Sequence, residues 1–388
     1  PSEWGTNDFP GAAFAGEGYA YMAPDYLGMG VSKGFHPYVH AESQASASVD
    51  MLRALKSWLP GQSDLPQLNN QLFITGYSQG GHASMSVHRE IETQLSGEFE
   101  ATAASHMSGP YSISDVMLDL TVEEEPYLFT AYLAYVLYSY QEAYGDLFDN
   151  IEEIVKPPYA TLMENFYDNY DNGASVFDLN DDLNQLLIQN EGQVIPRYMW
   201  QDSLLPILEN KPEDHPLIQA LRDNDVYDWA PAAPTQILYC EADDQVPFEN
   251  AILADSVMTE NGATDLTTLN VNANADHGQC APPAFLSTLL FFNQFADITT
   301  NTRELSSSPL LKIVPNPAST EVHLQFELLP SSSTLLLFDV SGRQLREQIL
   351  AAGSTSLRFP VHDLPEGIYY LMLYNESGSF THQLVVSR

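Results

Sequence analysis

The sequence predicts a parallel α/β sheet with a long helical insertion, followed by a small all-β sandwich. Three observations carry that prediction. Short apolar runs alternate with helix-period runs up to residue 110 and again from 235 to 295. Between Ser112 and Trp229 the alternation stops, and amphipathic patterns rich in Tyr, Leu and acidic residues take over. After Ala296 the composition turns to Thr, Ser and Asn, and then to period-2 alternation.

In chain order, residues 18–24 read as a buried strand running into the loop Asp25-Tyr26-Leu27-Gly28-Met29-Gly30. His40 to Leu59 carries a helix pattern, stopped by Pro60-Gly61. The apolar run 72–74 then ends in Gly76-Tyr77-Ser78-Gln79-Gly80, and a helix-compatible run from Ala83 to Leu95 follows. Ala101 to Met107 is a further strand. The insertion, about 112–229, reads as a helical cap, broken at Pro157-Pro158 and Asn172-Gly173. Thr235 to Cys240 resumes the sheet, Phe248–Glu260 is a helix, Leu266 to Val271 a strand and Pro283 to Phe295 a last helix. The predicted organisation is a catalytic domain over 1–299, a linker over 300–309 and a β-sandwich over 310–388, with strands at 321–326, 335–340, 357–361, 368–373 and 383–386.

Composition narrows the function. Lys and Arg number 14 against 52 Asp and Glu, a formal charge of −38. Such a polyanion is repelled by nucleic acid and by anionic lipid surfaces. Two cysteines, Cys240 and Cys280, make neither a disulfide framework nor a cysteine zinc site. No run is long enough for a transmembrane segment; the nearest, Tyr127 to Tyr140, is short and rich in Tyr. The acidic stretch Asp168 to Asp182 fails calcium-loop spacing, because Tyr170 and Leu179 fall at ligand positions. A solvated acidic face is the reading that remains.

The chemistry starts at Ser78. Strand, Gly-x-Ser-x-Gly and helix, in that order, are what a nucleophile elbow needs. Gly76 and Gly80 are expected to supply the missing Cβ atoms where strand and helix converge. The helix N-terminus offers N–H groups and partial positive charge to an oxyanion, with the Gln79 N–H as first donor. Past the 235–240 strand, Asp243 or Asp244 can hold a histidine ring, and either can equally cap the next helix. Past the following strand, His277 sits in Asp276-His277-Gly278, read as a flexible loop. His36, His40, His82, His88 and His106 are rival bases. His82 and His88 lie on the helix behind Ser78 and point away from the elbow tip, while His106 stays a minor candidate.

Taken together, Ser78, an acid at 243 or 244 and His277, each after a strand, follow the Ser…Asp…His order of the α/β-hydrolase arrangement. Residues 1–299 resemble an α/β-hydrolase with an inserted cap. Asp25-Tyr26-x-Gly-x-Gly, Gly76-Tyr77-Ser78-Gln79-Gly80, Asp243-x-x-Val246-Pro247 and Asp276-His277-Gly278 are similar to secreted esterases and lipases of the secretory-lipase type. That resemblance implies Asp243 as the acid, Ser78 as the acylated nucleophile, His277 as base and then acid, an ester or lipid substrate, and no metal or cofactor. A serine peptidase of the prolyl-oligopeptidase kind, or a non-catalytic surface protein with a vestigial core, are the other readings. In such hydrolases about three strands precede the Asp25 strand, whereas about seventeen residues do here. An exposed sheet edge, a half-built oxyanion hole and weak activity are therefore expected of this chain. If the acid and base loops meet, Cys240 and Cys280 come close enough to bridge; two free thiols are the alternative.

The last eighty residues carry a second resemblance. Val314-Pro315-Asn316-Pro317-Ala318-Ser319, Phe338-Asp339-Val340-Ser341-Gly342-Arg343 and Glu366-Gly367-Ile368-Tyr369-Tyr370 are similar to the C-terminal sorting domain of the type IX secretion system. It implies export across the outer membrane, with the secretion machinery as partner. A carbohydrate-binding Ig-like module is the other reading of such a sandwich.

Overall fold

The computed structural model describes residues 9–62, 68–297, 310–329, 331–339, 344–375 and 378–387. They fall into two compact units, Ala23–Ala296 and a second made of Pro1–Met22 with Asp297–Arg388.

In the first unit, β1 (Phe73–Tyr77), β2 (Ala103–Met107), β3 (Thr235–Tyr239) and β4 (Leu266–Asn270) form a parallel sheet in the order β1-β2-β3-β4. Parallel strands need crossovers, and helices Gln79–Thr93 and Glu249–Glu260 supply two of them. The inner strand β2 is buried throughout, while β4 at the end of the order is mostly exposed. Ala104 packs with Val87 and Ile91 of helix Gln79–Thr93 on one face, and Met107 with Ala284 of helix His277–Phe292 on the other. A sheet covered on both faces is what an unbroken apolar strand pattern demands. Three polar side chains between sheet and helix are paired: Ser105 Oγ meets Thr288 Oγ1 at 2.7 Å and accepts from Gln236 Nε2 at 2.9 Å.

The predicted strand over 18–24 does not form. Those residues are mostly exposed and lie outside the sheet, whose order among the described residues begins at β1. A strand exists through its ladder, and an apolar pattern alone does not make one.

Between β2 and β3 the chain is helical, with long helices at Ala131–Tyr144, Pro157–Asp168 and Val176–Glu191. Pro157 opens the second of these at a position where its missing N–H costs nothing. Tyr135, Leu137, Met163, Leu183, Leu187 and Trp200 are buried together in this cap. Phe35, from the loop before helix Ala41–Trp58, packs against Tyr135 and Tyr170 at ring separations of 5.3 and 4.6 Å.

The C-terminal unit holds two antiparallel sheets. Strands β5 (Leu310–Val314), β6 (Glu321–Phe326) and β9 (Ser356–Pro360) form one in the order β5-β6-β9. Strands β7 (Ser333–Asp339), β8 (Gln344–Leu350), β10 (Gly367–Asn375) and β11 (Gly378–Val386) form the other in the order β11-β10-β7-β8. Val322 and Leu324 of one sheet share a core with Leu337, Leu371 and Leu384 of the other, which makes the predicted sandwich. The linker prediction over 300–309 and the turn at Ser341-Gly342 lie outside the described residues.

Candidate active site

Ser78 follows β1 directly and precedes helix Gln79–Thr93, with φ 59° and ψ −124°. This is a left-handed, strained backbone for a residue with a Cβ, held by surrounding structure. The Ser78 N–H donates to the Met107 carbonyl at 3.0 Å, and the Gly81 and His82 N–H groups donate to the Ser78 carbonyl at 2.8 and 3.2 Å. A Cβ on Gly76 would stand 2.0 Å from the Gly80 carbonyl oxygen, so only glycine fits there. Gly80 itself faces open space, contrary to the expectation for it. The second steric demand falls on Gly81, whose Cβ would meet the Met107 carbonyl oxygen at 2.5 Å.

Asp243 and His277, the expected acid and base, lie together. His277 Nδ1 is 2.8 and 2.9 Å from the two Asp243 carboxylate oxygens, and both side chains are buried. A carboxylate beside Nδ1 fixes the proton on that nitrogen and leaves Nε2 with its lone pair. Asp243 Oδ1 also accepts from the Gln245 and Val246 N–H groups at 3.0 and 2.9 Å. Asp244 takes a different task, accepting the His277 backbone N–H at 3.0 Å. Neither aspartate caps helix Glu249–Glu260, whose N-cap is Phe248 with no side-chain bond.

His277 is not in a flexible loop. It is the first residue of helix His277–Phe292, capped by Asp276, which accepts the Gln279 N–H at 2.8 Å. Pro282 and Pro283 look like a break in the sequence, yet they are absorbed inside this helix. Tyr77, one residue before Ser78, donates its hydroxyl to the His277 carbonyl, and the two rings lie 5.0 Å apart. Cys240 and Cys280 are joined in a disulfide that ties the end of β3 to the first turn of the His277 helix. Of the two cysteine readings, the bridge is the one the structure contains.

The rival histidines are each accounted for. His40 caps helix Ala41–Trp58 by accepting the Ser43 N–H. His82 lies between Gln44 Oε1 and the Asn224 carbonyl, each at 2.9 Å. His106 lies 2.8 Å from Ser84 Oγ and 3.3 Å from His88, which reaches Glu92 at 3.0 Å. Burial pulls the pKa of His82 down to about 4 and that of His106 well below the usual imidazole range. His36 meets the residue after Ser78, its Nε2 2.6 Å from the Gln79 side-chain nitrogen. Sequence reasoning passed over this contact and the Tyr77 and Asp244 contacts, because each joins residues distant in the chain.

An apolar cavity is walled by Tyr38, Met117, Tyr132, Trp200, Leu221 and Val246, and its wall includes Gln245 and Val246, the two residues whose N–H groups donate to Asp243. Among the described residues no group of three His, Cys, Asp or Glu side chains could hold a metal ion. Nor, among them, is any helix long and apolar enough to cross a membrane.

Comparison with known proteins places both units. Residues 312–387 match the family model of the secretion system C-terminal sorting domain. No curated protein sequence matches the chain significantly. Among solved structures, the rice cell wall degrading esterase LipA from Xanthomonas oryzae is similar at 25% identity and a TM-score of 0.59, covering 70% of this chain and 70% of that one. A ligand-bound form of the same esterase gives 26% identity and a TM-score of 0.57, covering 70% of this chain and 69% of that one. A provisionally assigned hydrolase from Legionella pneumophila reaches 27% identity and a TM-score of 0.61, with 74% of each chain covered. The chain joins a core of the α/β-hydrolase fold to a C-terminal sorting domain of the type IX secretion system, the address of a protein exported to the cell surface or released.

Proposed function

We propose that the core is a serine hydrolase that cleaves carboxylic esters through an acyl-enzyme, with Ser78, His277 and Asp243 as its triad. The observation that carries this reading is the Asp243–His277 pair, held at 2.8 Å beside the strained elbow that presents Ser78. His277 Nε2 takes the proton of Ser78 Oγ as that oxygen bonds to the ester carbonyl carbon. Asp243 stabilises the imidazolium without itself being protonated. The Gln79 N–H, at the first position of its helix, has no partner within the helix and is directed to the oxyanion. The C–O bond to the leaving alcohol breaks, the alcohol takes the proton from His277, and water repeats the cycle on the acyl-enzyme.

The apolar cavity suits the acyl group, because Val246 in its wall also donates to the acid. Hydrolysis of p-nitrophenyl esters, lost in Ser78→Ala, tests the reading. Cleavage of aminoacyl anilides faster than of esters would replace it with a peptidase. Turnover unaffected by Ser78→Ala would end it.

A further inference from the structure

We propose that His36 is a positioning residue of the oxyanion hole: by accepting a hydrogen bond from the Gln79 side-chain amide, it fixes the residue whose backbone N–H faces the oxyanion. This rests on the ester-hydrolase reading above and extends it to a side chain outside the triad.

The proton arrangement follows from what each partner can do. The Leu27 carbonyl can only accept, and it lies 2.8 Å from His36 Nδ1, so Nδ1 carries the proton. Nε2 is then an acceptor, and the Gln79 amide nitrogen 2.6 Å away must be the donor. His36 is 1% exposed, and burial pulls its pKa below the usual imidazole range, which keeps Nε2 unprotonated. A protonated ring would have two donors and would turn this contact into a clash of N–H groups.

The ring is itself fixed from several sides. A Cβ on Gly28 would stand 2.6 Å from the His36 nitrogen and 2.7 Å from its Cα, so the Leu27–Gly30 turn seats directly on His36. From the cap helix Ala131–Tyr144, Ser139 Oγ donates to the His36 carbonyl at 2.9 Å and accepts the Tyr38 N–H at 2.8 Å. The Tyr135 ring meets the imidazole edge-on at 5.8 Å. One imidazole thus joins the elbow helix, the 27–30 turn and the cap. Gln79 is the first residue of its helix, where backbone groups lack intrahelical partners and the chain frays most readily. An oxyanion donor acts only when it is already in place, and small misplacements are costly.

The test compares kcat and KM on p-nitrophenyl butyrate for the full chain and four variants, with fluorophosphonate labelling of Ser78 as a check. His36→Asn keeps the bond to Leu27 and removes the acceptor for Gln79. Its kcat should fall about ten- to a hundredfold with KM changed less than about twofold, below the loss for deleting an oxyanion donor outright. His36→Gln, which restores an acceptor near the Nε2 position, should recover most of that loss. Gln79→Met, which leaves the buried loop untouched, should show the same kcat loss, and the double variant should lose little more than either alone. Should His36→Asn fail to fold, Gln79→Met decides by itself. Wild-type kcat in Gln79→Met, a pure KM effect in His36→Asn, or losses that multiply in the double variant would each overturn the assignment while leaving the ester-hydrolase reading intact. A wild-type chain that neither turns over ester nor is labelled at Ser78 would overturn both.

Discussion

Two sets of serine, histidine and carboxylate, one along helix Gln79–Thr93 and one where Ser78, Asp243 and His277 follow β1, β3 and β4, differ in what their nitrogens have left to do. Behind the helix, Ser84, His106, His88 and Glu92 form a buried chain with links of 2.8, 3.3 and 3.0 Å. Glu92 is anchored in turn by the Ala232 and Ala233 N–H groups at 2.7 and 2.9 Å. Every ring nitrogen of His106 and His88 has a partner within this chain, and Ser84 Oγ also donates to the Gly81 carbonyl at 2.9 Å. At the rim, Asp243 occupies only Nδ1 of His277. Each place holds a histidine within 3.0 Å of a carboxylate, His88 with Glu92 and His277 with Asp243. A ring nitrogen left over, rather than the list of side chains, is what separates the proposed triad from the buried chain.

The sharpest way to break this contrast is to remove one serine from each set. Ser78→Ala or Asp243→Asn should lower kcat toward p-nitrophenyl butyrate by roughly 10³- to 10⁴-fold, the scale of a broken triad. Ser84→Ala should leave kcat within about threefold. It should lower stability by about 1–3 kcal/mol, because His106 then loses a buried partner. Equal kcat losses for Ser78→Ala and Ser84→Ala would erase the distinction.

The disulfide gives the next effect. It closes a segment of 40 residues between the acid and base loops, and its loss should cost about 2–4 kcal/mol in thermal or denaturant unfolding. Cys240→Ser with Cys280→Ser should also lower kcat several-fold through a looser Asp243–His277 pair, whereas the buried set should keep its hydrogen exchange protection.

Acid should act on the buried histidines before it unfolds the sandwich. His82 is held neutral with its pKa at about 4 against 6.5 for an exposed ring, so the unfolded chain binds that proton first as pH falls. Stability should therefore drop between pH 6.5 and 4, by about 3 kcal/mol from this residue, in thermal melts read across pH. Asp225 works in the opposite sense. Burial raises its carboxyl to about 6, although Ile113, Ser114 N–H and the Ser114 hydroxyl donate to it. The folded chain binds that proton first, and stability is gained as pH falls through 6 toward 3.8. Asp225→Asn should make the acid loss steeper. The smallest effect is one of specificity: Val246→Phe, which fills the cavity wall, should shift preference from octanoate to acetate esters by about tenfold in kcat/KM.

How much of this was legible in the sequence depends on whether a feature is local. The elbow was, because its backbone admits few residues: Gly76 is forced by contact with Gly80. The sandwich was, through period-2 alternation, although β5 and β8 were missed. Gln344-Leu345-Arg346-Glu347-Gln348-Ile349-Leu350 carries little alternation because only Leu350 of β8 reaches the sandwich core as a buried residue. The His277 helix was predicted six residues late, since two prolines hide its first turn. Residues 18–24 carry a strand's composition but belong to none of the described sheets. The division of labour between Asp243 and Asp244 depends on which carboxylate meets a ring and which meets a backbone N–H, and adjacent residues of one type do not record that. The role of His36 is set entirely by tertiary contacts from three elements.

Mass-spectrometric mapping of a fluorophosphonate adduct, in the wild type and in His277→Ala and His106→Gln, goes most directly to the difference between the two sets. The adduct should sit on Ser78 in the wild type, vanish in His277→Ala and persist in His106→Gln. An adduct on another serine, or labelling of Ser78 that survives the loss of His277, would contradict the rim triad.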